Sequence, residues 1–300
     1  MEIPTTYVER ITAVLPGTSP AQMRINHDGL MNDVVIADDQ WAFRFAKTEA
    51  GRGALLRESH ILALVQRYVR LPAPRFTWHG DDCVAYPFLQ GVGLDRNTLL
   101  RLEPVVQARL AEQLGTYLRQ LHTIPAAELE PLNLAPVQPL TVDAVATELE
   151  QIRSTLYGYL WAEQKAWIEQ LYAPLLSGAV ELTYTPALIH NDLASYHILY
   201  DPETTQLSGI IDYGVAEIGD PAADFALIIN TYGESFLRQM IPVYGAIEAA
   251  LDRARFRAGA LELWWALQGI RTNDPSWYLV HLGRARDSMP LGWRPAVQQG

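Results

Sequence analysis

Cysteine is almost absent from this 300-residue chain. Cys83 stands alone, which excludes an intrachain disulfide and a cysteine-rich zinc site. Long apolar runs are missing as well: no stretch approaches the roughly 20 residues that span a bilayer. The opening MEIPTTYVERITAV lacks a basic segment followed by an apolar one, so a cytoplasmic protein without a membrane partner is expected. Positive charge is scarce. A net charge of -11 argues against nucleic acid as the main partner. The scarcity is also local: residues 166–237 contain no Lys or Arg but carry ten acids, whereas residues 24–91 hold eight Lys or Arg against eight Asp or Glu. One region can therefore meet a cation while another meets an anion. Internal repeats, low-complexity tracts, an H-E-x-x-H helix and a G-x-S-x-G nucleophile elbow are all missing, which weakens zinc and serine hydrolase readings.

What remains is an ordinary globular composition, 49% apolar and 19% charged, long enough for one large or two modest domains. Residues 5–15 read as a short helix. Residues 34–37 and 41–45 read as strands joined by Asp38-Asp39-Gln40. Residues 52–69 have a helical period that Pro72 and Pro74 stop. The apolar strand 84–89 ends at Gly91 and Gly93, the best candidate for a domain boundary, so residues 1–90 and 91–300 are expected as two lobes. After it the chain reads mainly helical, over 104–122, 142–155, 160–176, 222–232, 235–250 and 254–271. One hairpin, 197–200 with 208–212, interrupts the helices. An α+β fold follows, with a small β-rich lobe before a larger helical one.

The segment LIHNDLASYHILYD, residues 188–201, places His190, Asp192 and His197 between apolar residues. Phosphoryl transfer would use such a cluster. It needs a carboxylate to orient and deprotonate a hydroxyl, groups to hold Mg²⁺, and a cation for the nucleotide phosphates. Asp192 can be the base. His197 follows five residues later and Asp212 fifteen after that, so a loop and hairpin can bring the three side chains to one edge. Asp212 opens D-Y-G, which has the shape of the kinase D-F-G.

The run HNDLASYH…IIDYGVAEIGDPAADF resembles the aminoglycoside phosphotransferase family, whose pattern is H-x-D-x-x-x-x-N/H, then I-D-F/W, then D-P-x-x-D. The resemblance continues through Trp41–Lys47, the helix around Glu58, the hinge Tyr86–Gly91 and LRQLHTIP at 118–125. It implies a protein-kinase-like two-lobed fold, with ATP or GTP as phosphoryl donor and Mg²⁺ as cofactor. On that resemblance Asp192 is the catalytic base, His197 and Asp212 are the metal ligands, and Arg44, paired with Glu58, takes the position of the kinase lysine. His190 packs under the loop. Tyr86, Pro87 and Leu89 form the hinge that reads the nucleotide base through backbone groups, and Asn26-His27-Asp28-Gly29 lies over the phosphates. Asp220 and Asp224 cap a helix and brace the loop. The candidates for acceptor contact are Glu217, Asp224, Tyr232 and Glu234. Tyr232, Phe236, Tyr244, Trp264, Trp265, Trp277 and Tyr278 are candidates to line an acceptor pocket, with helix core as the competing role.

The field around Asp192 favours a cationic acceptor. The resemblance thus implies a nucleotide-dependent O-phosphotransferase acting on an aminoglycoside- or macrolide-type antibiotic, as a monomer or weak dimer. Val215 stands where the 2″-phosphotransferases carry a further Asp. A metabolic kinase for choline, homoserine or a sugar is the second reading, and a nucleotide-binding pseudokinase the third.

Overall fold

The computed structural model describes residues 3–274 other than 18, 28, 30, 135 and 136. Its amino-terminal part is an antiparallel sheet of β1 (Met23–Asn26), β2 (Asn32–Ala37), β3 (Trp41–Ala46), β4 (Trp78–His79) and β5 (Cys83–Pro87), in the order β1-β2-β3-β5-β4. Asp38 and Asp39 both have φ of 54°, and Gln40 N–H bonds Ala37 C=O at 3.0 Å. That is a type I′ turn, whose twist matches the strands it joins. Phe43, Phe45, Val35, Cys83 and Ala85 form a core with Ile11 of helix α1 (Thr5–Val14), and Tyr7 of α1 stacks on Phe45 with ring centroids 3.9 Å apart. Each such buried aliphatic or aromatic side chain contributes roughly 1.5–3 kcal/mol. Burial also pushes the Cys83 thiol up to about 12.

Helix α2 (Glu49–Tyr68) begins where Thr48 Oγ1 accepts from Gly51 N–H at 3.2 Å. This start lies three residues ahead of the expected one, because the capping threonine rather than the apolar period sets it. Its buried face includes Leu55, Ile61, Leu62 and Val65, together with one charged residue, Glu58.

After the short β6 (Val92–Gly93) come α3 (Arg96–Arg101), α4 (Pro104–His122) and α5 (Ala126–Leu129). The helices α6 (Val142–Leu156) and α7 (Ala162–Leu176) follow, and then β7 (Ala187–Ile189). The expected hairpin is β8 (Ile198–Asp201) with β9 (Gln206–Ile210), joined by β6 into three strands, while β10 (Glu217–Gly219) pairs with β7. Beyond α8 (Ala222–Tyr232), the single helix expected over 235–250 is broken into α9 (Glu234–Arg238), α10 (Ile241–Tyr244) and a 3-10 turn, Glu248–Ala250. Pro242 in the first turn of α10 and Gly245, with φ of 96°, enforce the breaks. The last helix, α11 (Leu251–Arg271), starts three residues before its expected position.

Contacts group the chain into two compact units, Met1–Gln138 with Tyr184–Leu251, and Pro139–Thr183 with Asp252–Gly300. The first holds the sheet, the hairpin and α8. In the second, Val145, Leu149, Ile152 and Leu156 of α6 repeat at helical spacing and pack with Ile168, Tyr172 and Leu175 of α7 and Phe256, Ala260, Leu263 and Leu267 of α11. No helix among the described residues is long and apolar enough to cross a membrane.

Candidate active site

Four segments of the first unit bring the charged residues together. Arg44 comes from β3 and Glu58 from α2. Asp192 and His197 come from the loop between β7 and β8, and Asp212 from the turn after β9. Arg44 is 7% exposed and Glu58 1%, and Arg44 Nη1 donates to Glu58 Oε1 at 2.7 Å. The same oxygen accepts Tyr213 N–H at 3.1 Å. Arg44 Nη2 lies 3.6 Å from Asp212 Oδ1, and the Asn32 amide, turned with its oxygen toward the guanidinium, accepts from Nη2 at 3.1 Å. Burial works against the Arg44 charge, but Glu58 and Asp212 outweigh it and hold the group protonated. Burial likewise pushes the Glu58 carboxyl above its usual range, and Arg44 draws it only part of the way back.

The catalytic-type loop is organised by two histidines in different ways. Asp192 N–H donates to His190 Nδ1 at 3.2 Å, so His190 carries its proton on Nε2 and donates to Ile211 C=O at 3.1 Å. Both ring nitrogens are thus used by a neutral imidazole. Burial lowers the His190 pKa from 6.5 to about 4, which agrees with that tautomer. His197 Nδ1 donates to Asp192 C=O at 2.8 Å, so Nε2, 3.6 Å from Asp212 Oδ2, is the ring nitrogen that can offer a lone pair when the ring carries a single proton. Asp192 Oδ2 is 3.5 Å from His197 Nδ1, and the Asp192 side chain is 39% exposed. Partial burial raises the Asp192 pKa, His197 counters it, and Asp212 adds to it. For Asp212 burial also favours the neutral acid, but Arg44 and His197 prevail and hold the carboxyl below its usual range. Asn191 and Asp212 have φ of 64° and 66°, in the left-handed region that non-glycine residues rarely occupy. Hydrogen bonds hold both: Asn191 N–H reaches Asp224 at 2.7 Å and its amide reaches Glu217 at 2.8 Å, while Asp212 Oδ1 accepts Gly214 N–H at 3.3 Å.

Beneath the loop, Asp224 is fully buried. Its Oδ2 accepts His190 N–H at 2.9 Å and His122 Nε2–H at 3.0 Å, and His122 Nδ1 meets the Tyr244 hydroxyl at 2.9 Å. Burial opposes the Asp224 charge, yet these bonds hold its pKa below the usual range. Of the two roles considered for Asp224, bracing the loop and contacting the acceptor, the bracing one agrees with this position, since both oxygens are engaged and the side chain is fully buried. Tyr232, another candidate for acceptor contact, is 3% exposed and its hydroxyl donates to Leu94 C=O at 2.6 Å, a helix-core position. Glu217 holds Asn191, and Glu234 pairs with Arg238 at 2.9 Å. Phe236 is buried, Tyr244 is tied to His122, and Trp264 packs against the core of the second unit. Trp277 and Tyr278 lie outside the described residues, as does Asp28.

At the hinge, Phe88 N–H bonds Gln40 C=O at 2.7 Å. Trp41 and Pro87 face each other in register, so that bond makes them a non-hydrogen-bonded pair. Pro87 thus needs no N–H, and its carbonyl points off the ladder. Leu89 N–H and C=O have no partner among the described residues. Tyr86, buried behind this edge, has its hydroxyl pushed up to about 12 by burial. Sequence reasoning left Lys47 without a role. Its ammonium donates to His27 C=O at 2.7 Å and Gly29 C=O at 2.6 Å and lies 3.2 Å from Asp33, which pins the segment before β2. His122 and Asn32 were also missed, because neither stands in the catalytic run.

The geometry joins with three comparisons. A profile of the phosphotransferase enzyme family matches residues 22–258. The viomycin phosphotransferase of Streptomyces vinaceus is 26% identical over 292 residues, covering 91% of this chain and 96% of that one. Among solved structures, the GDP complex of aminoglycoside 2′-phosphotransferase-IIIa superposes with a TM-score of 0.82 at 25% identity, over 93% of this chain and 95% of the other. A macrolide 2′-phosphotransferase type I shares the fold at a TM-score of 0.73 and 20% identity, over 94% and 97%. The α+β, kinase-like architecture expected from the motifs is the one observed: a small antiparallel sheet and a mainly helical remainder.

Proposed function

The chain belongs to the phosphotransferase enzyme family, and on that premise we propose that it transfers a phosphoryl group from ATP or GTP to a hydroxyl of an antibiotic of aminoglycoside, macrolide or related type. The observation that carries this reading is the open trio of Asp192, His197 and Asp212, set beside a buried Arg44–Glu58 pair. Of the two carboxylates in the trio, Asp192 has the raised pKa and Asp212 the lowered one, and the Asp192 carboxylate has no hydrogen bond of its own among the described residues. It is suited to accept the proton of an acceptor hydroxyl as the oxygen bonds phosphorus. Arg44, fixed by Glu58, can place Nη2 against a phosphate oxygen. The unpaired hinge groups at Leu89 and the Pro87 carbonyl can read a purine edge.

Asp212 and His197 suit Mg²⁺ as two donors of an incomplete set. A carboxylate oxygen and a bare nitrogen face each other at 3.6 Å, and no cluster of three or more His, Cys, Asp or Glu converges among the described residues. An ion that keeps waters and shares phosphate oxygens needs no more protein ligands than that. When bound it would supply charge neutralisation to the phosphates.

The test is product analysis. The protein would be incubated with Mg²⁺ and ATP or GTP against viomycin, kanamycin, a macrolide, choline, homoserine and simple sugars, with Asp192→Asn as control. A mutant-sensitive gain of one phosphate on a drug supports the reading. Phosphorylation of a metabolite alone, or of nothing in the panel, overturns the antibiotic assignment.

A further inference from the structure

Large exposed aromatics are few in the described residues. Tyr159, Trp161, Trp167 and Trp265 belong to the second unit, and Tyr196 alone belongs to the first. Tyr196 is 64% exposed, although it sits between the base and the metal-facing histidine. Its ring packs T-shaped with His197 at a centroid distance of 4.4 Å and an interplanar angle of 77°, and at 64% exposure much of the ring surface stays open to solvent. Its hydroxyl has no hydrogen-bond partner among the described residues, whereas those of Tyr7, Tyr157, Tyr172, Tyr213, Tyr232 and Tyr244 all do. The backbone beneath the ring is held tightly. Gly93 passes so close that a Cβ there would come within 2.9 Å of Tyr196 Cα and 3.1 Å of Ser195 C=O. The ring is therefore presented on a fixed loop. Residues 166–237 supply no cation to cover it, and Asp192 and Asp212 lie near enough to act on its hydroxyl.

An aromatic face beside carboxylates, with no protein cation supplied by its own segment, is suited to a positively charged guest. We propose that Tyr196 is an acceptor-contacting, specificity-determining residue whose ring face receives a protonated amine of the substrate, next to the hydroxyl that Asp192 deprotonates. This inference rests on the phosphotransferase reading above and narrows its acceptor to an amine-bearing one. Asp192 and Asp212 add long-range attraction for the same cation.

The test compares Tyr196→Phe, Tyr196→Leu and Tyr196→Ala with the wild type on kanamycin or viomycin, whichever the unmodified protein phosphorylates, measuring the KM for drug and nucleotide separately. Phe keeps the π face and Leu keeps only apolar bulk. We expect Phe to match the wild type, Leu and Ala to raise the drug KM roughly five-fold, and the nucleotide KM to stay within two-fold in all three. A wild-type drug KM in Leu would overturn the proposal, because the ring would then serve only as an apolar shield over His197. A wild-type drug KM in Ala, or a rise confined to the nucleotide KM, would do the same. A macrolide, if that is the drug phosphorylated, takes the place of kanamycin or viomycin in the same comparison; if the wild type phosphorylates no drug of the panel, the function reading itself fails, and that result is separate from any of these.

Discussion

Two aspartates serve the same loop from opposite sides. Asp224, below, is fully buried, its pKa is lowered, and its oxygens are occupied by two backbone N–H groups and an imidazole. Asp192, above, is 39% exposed, its pKa is raised, and the nearest side-chain nitrogen, His197 Nδ1, stands 3.5 Å away. The chemistry of the residue is identical, and the surroundings divide the work. Full hydrogen bonding makes a carboxylate structural, and under-bonding keeps one reactive.

Breaking the comparison at its upper side should give the largest effect. Asp192→Asn is expected to reduce kcat/KM by about 10²–10⁴-fold while leaving the melting temperature unchanged, as steady-state kinetics and calorimetry would check. At the lower side the effects reverse. Asp224→Ala leaves the buried His190 N–H, the partly buried Asn191 N–H and His122 without an acceptor, and denaturant unfolding should record a loss of about 3–5 kcal/mol. If Asp224→Ala instead folded normally but lost only activity, the division between the two aspartates would be wrong.

A pH series sharpens the contrast further. His190 is neutral in the fold down to about pH 4, whereas the unfolded chain protonates it near 6.5. Between those values the unfolded state binds the extra proton, so stability falls as pH falls through that window and is fully present above it. The loss is about 3 kcal/mol, and His190→Gln should flatten that part of a melting-temperature profile. The raised Asp192 pKa acts on rate rather than on folding: log kcat/KM should drop on the acid side at a pH above that of an ordinary aspartate. The smallest effect is expected at Tyr232. Tyr232→Phe removes one bond to Leu94 C=O and should cost about 1 kcal/mol of stability with no change in the KM for drug.

Much of the upper side was legible in the sequence, because phosphoryl transfer fixes residue types and intervals along one short run. Asp192, His197 and Asp212 are separated by five and fifteen residues, and a loop followed by a hairpin is the simplest chain path that gathers them. The lower side was less legible. Asp224 was visible, but its use depends on His122, 102 residues earlier, and on the packing of α4 against the loop. Local pattern carries no such information. Lys47 is similar: its partners are main-chain carbonyls, which every residue possesses. The strands β7 and β10, three residues each, are too short for alternation to be detected. Helix 235–250 failed as a unit because its apolar period runs on through Pro242 and Gly245, where the backbone cannot follow.

The solitary cysteine has a practical consequence. Cys83 is 1% exposed and its thiol is held protonated by burial, so it should be silent toward maleimides and iodoacetamides in the native protein. A cysteine introduced on the surface would then be the sole labelling position, with no background to remove first. Val215, next to the D-Y-G turn and 52% exposed, is well placed for a fluorophore beside the candidate site.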